Sequence, residues 1–415
     1  MQSRYLLLLA LTLVSACDRR RRSDADRYAD RMRDAIPAIE KATGLTFKTP
    51  PILELRSRAQ VRDFLVAKFD ESSPAAQLRG EEIAYKQFGL LPDTLDLRRF
   101  LLELLTEQIV GYYDPATKVL YIVEGAPADL AGVTVTHELI HALQDQYISL
   151  DSIQKLEGNS DQLAAAQAVL EGQATFEQLS IMLGGNVAAR LPGGWESVRE
   201  TIRQAQASMP LFSAAPMAIQ ESLLFPYLSG AEFIRRHKAR MPQGNPLMDL
   251  PVSTEQVLSE EAYFDEERDM PTTVMLPGDR QGEHEETMGE FGTRLLIFEH
   301  TKNHTVAVGA ARGWDGDRYR IIGTGAGRGL TWVTVWDSPL DAAQFVDAIG
   351  QAIVRRYGTP APSVARTGAR TYAGASRTVV VTPGEVQGRN VVLYVDVPRG
   401  APTAVLDLNR VRLDP

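Results

Sequence analysis

Residues 137–147 read HELIHALQDQY and place an HExxH pattern inside a segment, 130–147, whose apolar residues recur at helical spacing. On a helix, residues four positions apart differ by only ~40° around the axis, so His137 and His141 project from one face and can bind one metal ion. Glu138 is rotated by ~100° from His137, where a carboxylate can take a proton from a water on the metal without being a ligand. HExxH also occurs by chance in unrelated helices, so the pattern alone leaves a metal site and an ordinary polar helix face both open.

A catalytic zinc site needs a third protein ligand and an open position for water. Residues 142–147 (ALQDQY) contain no third histidine, so a carboxylate on another helix is the candidate. Glu171 lies 30 residues after His141, in the middle of a helix predicted over 161–183. The alternative is a solvated surface glutamate, a role that Glu177 fits better. The residues around Glu171 are small, which would let this helix approach the HExxH helix closely: Ala164, Ala165, Ala166, Ala168, Gly172 and Ala174.

The first residues, MQSRYLLLLALTLVSAC, combine a short basic start with a ten-residue apolar stretch that is too short to span ~30 Å of hydrocarbon. They predict a secretory signal peptide over 1–16. The VSAC sequence that ends at Cys17 resembles the lipobox of bacterial lipoproteins, which predicts lipidation of Cys17 and a polar, lipidated tether over 17–26. An ordinary secretory signal that contains a cysteine is the alternative. In Gram-negative lipoproteins an aspartate directly after the lipidated cysteine, here Asp18, often favours retention in the inner membrane, but this rule varies between bacteria and leaves both membranes open.

The composition narrows the function further. The 44 Lys and Arg against 53 Asp and Glu give a net charge of −9, which argues against nucleic acid as a partner. Cys17 is the single cysteine, so the chain can form no internal disulfide, cysteine metal cluster or thiol protease site. Histidine and carboxylate remain as metal ligands.

The sequence predicts an α+β protein. Its 415 residues suggest two or three domains. We expect a mainly helical domain over 27–265, a linker or loop over 266–288, and a smaller α+β domain with an antiparallel sheet over 289–415. Helical spacing predicts helices over 28–43, 57–70, 96–110, 130–147, 161–183, 227–240, 289–300 and 339–357. Strands are predicted over 119–123, 318–322, 331–336, 378–382 and 390–396.

The run at 137–147 resembles the zinc helix of thermolysin-like gluzincin metallopeptidases, and LEGQAT at 170–175 resembles the glutamate helix of bacterial peptidase-MA-like proteins. The resemblance extends to GYYDP at 111–115, FPY at 225–227 and PVSTEQ at 251–256, and covers about 100–275. It implies a gluzincin-like metallopeptidase domain that hydrolyses peptide bonds with Zn²⁺. The implied ligands are His137, His141 and Glu171, and the implied base is Glu138.

The supporting residues are less defined. Many gluzincins place an aspartate four residues after the glutamate ligand to orient a zinc histidine, and this chain has Thr175 there. Asp145 could orient an imidazole instead, and a solvated or capping role is equally open. Tyr227 and Tyr113 are candidates for a hydroxyl that donates to the oxyanion, or they are ordinary core or rim aromatics. The predicted strand 119–123 could form the cleft edge and hold an extended substrate by strand addition.

Other polar motifs carry weaker expectations. Asp315-Gly316-Asp317 could suggest calcium, but a tight turn between strands is the favoured interpretation because further oxygen ligands are absent nearby. Three histidines without partners at ligand spacing are predicted to be solvated: His284, His300 and His304. Three tryptophans are predicted to pack in the C-terminal core, unless one is exposed for binding: Trp314, Trp332 and Trp336.

Together these features predict a zinc metallopeptidase that is lipid-anchored to a bacterial membrane through Cys17, on the periplasmic side of the cell envelope, and acts on a peptide or protein substrate. The alternative is a catalytically silent zinc-binding or scaffold lipoprotein that binds an envelope partner. Retention of Glu138 argues against that alternative, since a structural site needs no base. The substrate preference and the oligomeric state do not follow from the sequence.

Overall fold

The computed structural model describes residues 24–72, 75–154, 158–185, 194–278 and 282–414, and it confirms the predicted α+β class. The predicted signal peptide and Cys17 lie outside these residues. No helix in the described part of the chain has the length and apolar character that a membrane span requires.

The first part of the chain is mainly helical, as predicted. Its helices are α1 (Asp24–Thr43), α2 (Arg58–Ser72), α3 (Ala75–Phe88), α4 (Leu97–Gln108), α5 (Ala128–Gln144), α6 (Leu150–Gln154), α7 (Ser160–Met182), α8 (Gly194–Ala207), α9 (Pro210–Ala214), α10 (Met217–Arg240), α11 (Thr254–Leu258) and α12 (Glu260–Phe264). Its strands are β1 (Ile52–Arg56), β2 (Gly111–Asp114) and β3 (Val119–Val123). Helix α10 begins ten residues before the predicted 227, because Pro226 lies inside the helix instead of marking its start.

The second part is built around a seven-stranded antiparallel sheet of order β5-β6-β7-β11-β10-β9-β8. The strands are β4 (Thr273–Met275), β5 (His284–Glu286), β6 (Trp314–Gly323), β7 (Arg328–Trp336), β8 (Ser363–Val364), β9 (Arg370–Ala373), β10 (Arg377–Val386), β11 (Arg389–Pro398) and β12 (Arg412–Asp414). The helices are α13 (Gly289–Thr301), α14 (His304–Ala311) and α15 (Pro339–Tyr357). Trp314, Trp332 and Trp336 are buried between sheet and helices, which confirms their predicted core role.

The segment 266–288, predicted as a linker or loop, contributes two short strands. Strand β4 pairs with β12, and β5 forms an edge of the large sheet. A strand of three residues is too short to show a clear alternation of apolar and polar residues, so the sequence pattern could not reveal β4 and β5. The core on the helix-covered face of the sheet also contains Ala84 and Phe88 of α3, so helical and sheet regions share apolar contacts. The division into domains stays a prediction.

Strand β3 lies in the centre of a three-stranded sheet of order β1-β3-β2, parallel to β1 and antiparallel to β2. The prediction that 119–123 forms a free cleft edge is therefore wrong. All five residues of β3 are buried, as expected of a continuous apolar run that is covered on both faces. The edge strand beside α5 is β2, so β3 has no free edge for strand addition.

Helices α5 and α7 carry the candidate metal ligands. Leu139, Ile140 and Leu143 anchor the apolar face of α5 against the sheet and α1. Helix α7 begins after Asn159, whose side chain accepts a hydrogen bond from the backbone N–H of Gln162 and caps the helix. The small residues of α7 permit a close approach mainly to α10, where a Cβ added at Gly172 would lie 2.2 Å from the carbonyl carbon of Gly230.

Candidate metal centre

The HExxH helix and the glutamate helix bring three ligand-type side chains together. The Nε2 atoms of His137 and His141 lie 3.1 and 3.4 Å from Oε2 of Glu171. One donor atom from each residue lies within 4.8 Å of the other two. The three side chains are 12–29% exposed, so they are sheltered yet reachable from solvent. The predicted convergence of these residues is present.

The separations between the ligand atoms fit a zinc ion. In a tetrahedral site with bonds of ~2.0–2.1 Å, two ligand atoms stand ~3.3–3.4 Å apart. The observed distances of 3.1 and 3.4 Å from Glu171 to the two histidines are close to that separation. Two imidazole nitrogens and one carboxylate oxygen are also a donor set that zinc accepts in catalytic sites.

Two glutamines orient the histidines. Nδ1 of His141 lies 2.8 Å from Oε1 of Gln144, and Nδ1 of His137 lies 3.4 Å from Oε1 of Gln178. The amide nitrogens of these glutamines donate to the carbonyl oxygens of Leu170 and Val133, at 3.0 and 2.7 Å. Because the amide nitrogens are engaged there, the amide oxygens face the imidazoles and accept hydrogen bonds from Nδ1–H.

This arrangement leaves the Nε2 lone pair of a neutral histidine directed at the Glu171 carboxylate. Two acceptors at that distance need a cation between them, either a proton or a metal ion. Burial would lower the pKa of His141, but the Glu171 charge and the hydrogen bond to it raise that pKa to about 9. Burial would raise the pKa of Glu171, but the two histidines hold it well below its ordinary range. In the protein without metal, a proton on His141 can fill this position.

Neither Asp145 nor Thr175 orients a zinc histidine. Asp145 accepts hydrogen bonds from the Tyr113 hydroxyl at 2.7 Å and from Nζ of Lys118 at 2.6 Å. Oγ1 of Thr175 is buried without a hydrogen-bond partner among the described residues. Of the roles left open for Asp145, the orienting one is not found, because residue 145 ends α5 and Gln144 reaches His141 instead. The Oδ1 of Asp145 accepts a hydrogen bond from the backbone N–H of Leu150 at 3.2 Å, at the start of α6, as in the capping alternative.

Glu138, the predicted base, lies beside the three candidate ligands. Its Oε2 accepts a hydrogen bond from the backbone N–H of Tyr113 at 2.8 Å, which fixes the carboxylate beside the ligands. Burial raises the pKa of Glu138, while the charges of His141 and His137 oppose that shift. A carboxylate with a raised pKa is a better proton acceptor near neutral pH.

The two tyrosines have different surroundings. The hydroxyl of Tyr113 is bound to Asp145, so this residue serves the site through its backbone N–H. The ring of Tyr227 lies 6.2 Å from that of His137, nearly parallel to it. The negative charge of Glu171, together with burial, raises the pKa of the Tyr227 hydroxyl well above its ordinary value. Tyr227 is thus the tyrosine that remains a candidate hydroxyl donor.

A cleft of about 530 Å³ lies beside the candidate ligand His137. His137, Glu138 and Tyr227 line it, and its apolar walls include Leu65, Ile109, Val133, Leu179, Met182 and Ile202. A few polar groups therefore lie at one place in a largely apolar cleft, as in many ligand-binding pockets.

Several other sequence predictions need correction. Glu177 is not on the surface: it is fully buried, and its carboxylate lies 2.5 Å from Nζ of Lys238. His284 and His300 are half-buried and bound to the Tyr319 hydroxyl and the carbonyl oxygen of Phe88, whereas His304 is exposed as predicted.

The Asp315-Gly316-Asp317 sequence is not a turn between strands. It lies inside β6, where a register shift accommodates the glycine. Asp317 accepts hydrogen bonds from the backbone of Met288 and Gly289 and from the indoles of Trp314 and Trp332. This buried carboxylate is fully used by donors, so it serves the fold.

Comparison with known proteins adds little to this geometry. Residues 275–407 match the family described as "Domain of unknown function (DUF8575)", which is well under half of the chain. No curated protein matches. Among solved structures, the chain is similar to "Crystal structure of a putative hydrolase with a novel fold from Chloroflexus aurantiacus", at 16% identity and a TM-score of 0.33, over 58% of this chain and 88% of that one. A TM-score this low transfers neither fold nor activity.

Proposed function

We propose that this protein is a zinc-dependent metallopeptidase that hydrolyses peptide bonds in the bacterial cell envelope. The observation that supports it most is the convergence of His137, His141 and Glu171, with Glu138 held beside them as a non-ligand carboxylate. A structural zinc site is normally closed by four protein ligands, whereas a catalytic one has three and an open position. The three ligands and the adjoining cleft fit the catalytic type.

His137, His141 and Glu171 would hold the zinc ion, with Gln144 and Gln178 keeping the imidazoles in the required tautomer. When bound, zinc supplies a Lewis acid that polarises the scissile carbonyl and lowers the pKa of a water to ~7. Glu138 accepts the proton of the attacking water and returns it to the leaving amine. The Tyr227 hydroxyl donates a hydrogen bond to the developing oxyanion.

The test uses Glu138→Gln, which keeps the size of the side chain but cannot accept a proton. We expect this variant to retain about one zinc per chain and to lose casein hydrolysis by more than the ~10²–10⁴-fold typical of a general base. Zinc content at background would contradict the assignment of Glu138 as a non-ligand. Equal hydrolysis by variant and parent would favour the scaffold alternative.

The location in the envelope rests on the N-terminal sequence. We propose that Cys17 is lipidated and anchors the protein on the periplasmic side of a bacterial membrane. Expression of Cys17→Ala should release the protein from the membrane fraction or leave the precursor uncleaved. Normal processing and unchanged fractionation of the variant would exclude the lipid anchor.

A further inference from the structure

A second group of ligand-type side chains lies where the helical region meets the large sheet. It consists of Glu255 on α11, Asp269 in the loop after α12 and Asp337 directly after β7, and we call it the carboxylate cluster. One carboxylate oxygen from each residue lies within 4.8 Å of the other two. The cluster shares no residue with the metal centre.

Glu255 is a buried carboxylate without the partner that its charged form needs. Its side chain is 5% exposed, and its Oε2 is buried with no hydrogen-bond partner among the described residues. A buried carboxylate is stable only when it is protonated or paired with positive charge. Burial, reinforced by Glu290, Asp269 and Asp337, raises the pKa of Glu255 to about 10. The neighbouring carboxylates worsen the imbalance that a cation would relieve.

Most arginines near the cluster are engaged with other acceptors. Arg294 pairs with Glu290, and Arg389 lies 3.1 Å from Asp315. Three further arginines line the depression beside the cluster. Arg268 binds Asp249, Arg236 binds the carbonyl oxygens of Val257 and Leu258, and Arg312 is exposed. Among the described residues, none of the three cluster carboxylates forms an ion pair within 4.0 Å.

The backbone holds the cluster in place before any ion arrives. The N–H of Asp269 donates to the carbonyl oxygen of Ala262 at 3.0 Å, and its carbonyl oxygen accepts from Nε2 of Gln256 at 2.5 Å. The N–H of Asp337 donates to the carbonyl oxygen of Gly313 at 3.0 Å. The three carboxylates therefore sit on fixed segments from both parts of the chain.

We propose that Glu255, Asp269 and Asp337 bind one Ca²⁺ ion. All donors are carboxylate oxygens, the ligands that Ca²⁺ prefers, and three carboxylates can fill up to six of its ~6–8 positions. Mg²⁺ is smaller, demands near-ideal octahedral geometry and is usually held by one or two carboxylates, so a site with three carboxylates favours Ca²⁺. Water from the adjoining depression of about 890 Å³ would complete the coordination.

The bound ion would fasten α11 to the C-terminal sheet. Helix α11 is already joined to α7, because Thr254 donates to Asp161 from its N–H at 3.0 Å and from its hydroxyl at 2.5 Å. Since α7 carries Glu171, Ca²⁺ binding would stabilise the packing that supports the metal centre. The ion has a structural role here, and its binding does not depend on the proposed peptidase activity.

The test is calorimetric titration of the purified full-length protein with CaCl₂, after removal of metals on a chelating resin and addition of one equivalent of zinc. We expect one Ca²⁺ per chain, at least tenfold weaker binding of MgCl₂, and a melting temperature that rises by about 2 °C or more at saturating CaCl₂. Asp337→Asn and Glu255→Gln should each weaken Ca²⁺ binding at least tenfold. Glu267→Gln removes a charge from an exposed position in the same depression and should change the affinity less than twofold.

Two outcomes would overturn the site. One is a folded parent protein that gives neither heat nor a melting shift with CaCl₂. The other is Ca²⁺ binding that Asp337→Asn leaves unchanged. Asp337 is exposed, so this variant decides the matter even if Glu255→Gln fails to fold.

Discussion

Gly172→Ala tests whether the close packing of α7 on α10 positions Glu171. The added Cβ would lie 2.2 Å from the carbonyl carbon of Gly230 and 2.5 Å from its oxygen. Ordinary carbon contacts are ~3.5–4.0 Å, so the helices would have to separate by more than ~1 Å. Overpacking of a core costs about 1–3 kcal/mol, and the better helix propensity of alanine returns up to ~1 kcal/mol. The obstacle is rigid backbone, so we expect a net loss of about 2 kcal/mol.

The displacement should also weaken zinc binding, because Glu171 is the residue next to Gly172. Urea denaturation of metal-free protein measures the stability, and competition with a chromophoric chelator measures zinc affinity, which should fall at least tenfold. Gly309→Ala is the matched control: Gly309 is exposed on α14 with no atom within 4 Å of the added Cβ. It should leave zinc binding unchanged and stabilise by up to ~1 kcal/mol. A Gly172→Ala protein with parental stability and zinc affinity would refute the packing argument.

Other variants test the ligands, their orientation and a buried carboxylate. Glu171→Ala should lower the zinc content strongly. Glu103→Ala, which removes an exposed glutamate paired with Arg99, should leave the zinc content unchanged. Equal zinc loss in both variants would contradict the assignment of Glu171 as a ligand. Gln144→Ala should weaken zinc binding about 10- to 100-fold through the orientation of His141, and unchanged affinity by chelator competition would exclude that role. Burial raises the pKa of Asp161 to about 7, against ~3.9 in an unfolded chain. Between these values the folded protein keeps a proton that the unfolded chain releases, so stability falls with rising pH by up to ~1.4 kcal/mol per unit. Asp161→Asn should flatten that slope in urea unfolding at pH 4–7, and an identical slope would show that Asp161 is not its source.

Local patterns predicted much of the fold and of the metal centre. The helical period and apolar spacing located α5, α7 and α15, and the i, i+4 spacing placed His137 and His141 on one face. These features depend only on neighbouring residues. The α+β class followed because each region has its own periodicity.

Features that depend on distant parts of the chain escaped prediction. The central position of β3 requires β1, which pairs with it from more than 60 residues away. Gln144 and Gln178 were missed because an amide has no distinctive spacing, although they lie three residues after His141 and seven after Glu171, on the same helix faces. Glu177 looked like a surface residue because its partner, Lys238, lies on another helix.

The central claim is that one zinc ion at His137, His141 and Glu171 works together with Glu138 to cleave peptide bonds. The most direct measurement is a zinc titration of the chelated full-length protein while casein hydrolysis is followed, in parallel with Glu138→Gln. We expect parental activity to rise linearly and to level off at one zinc per chain, while the variant takes up the same zinc and stays at background. Hydrolysis that is independent of added zinc, or equal in both proteins, would contradict it.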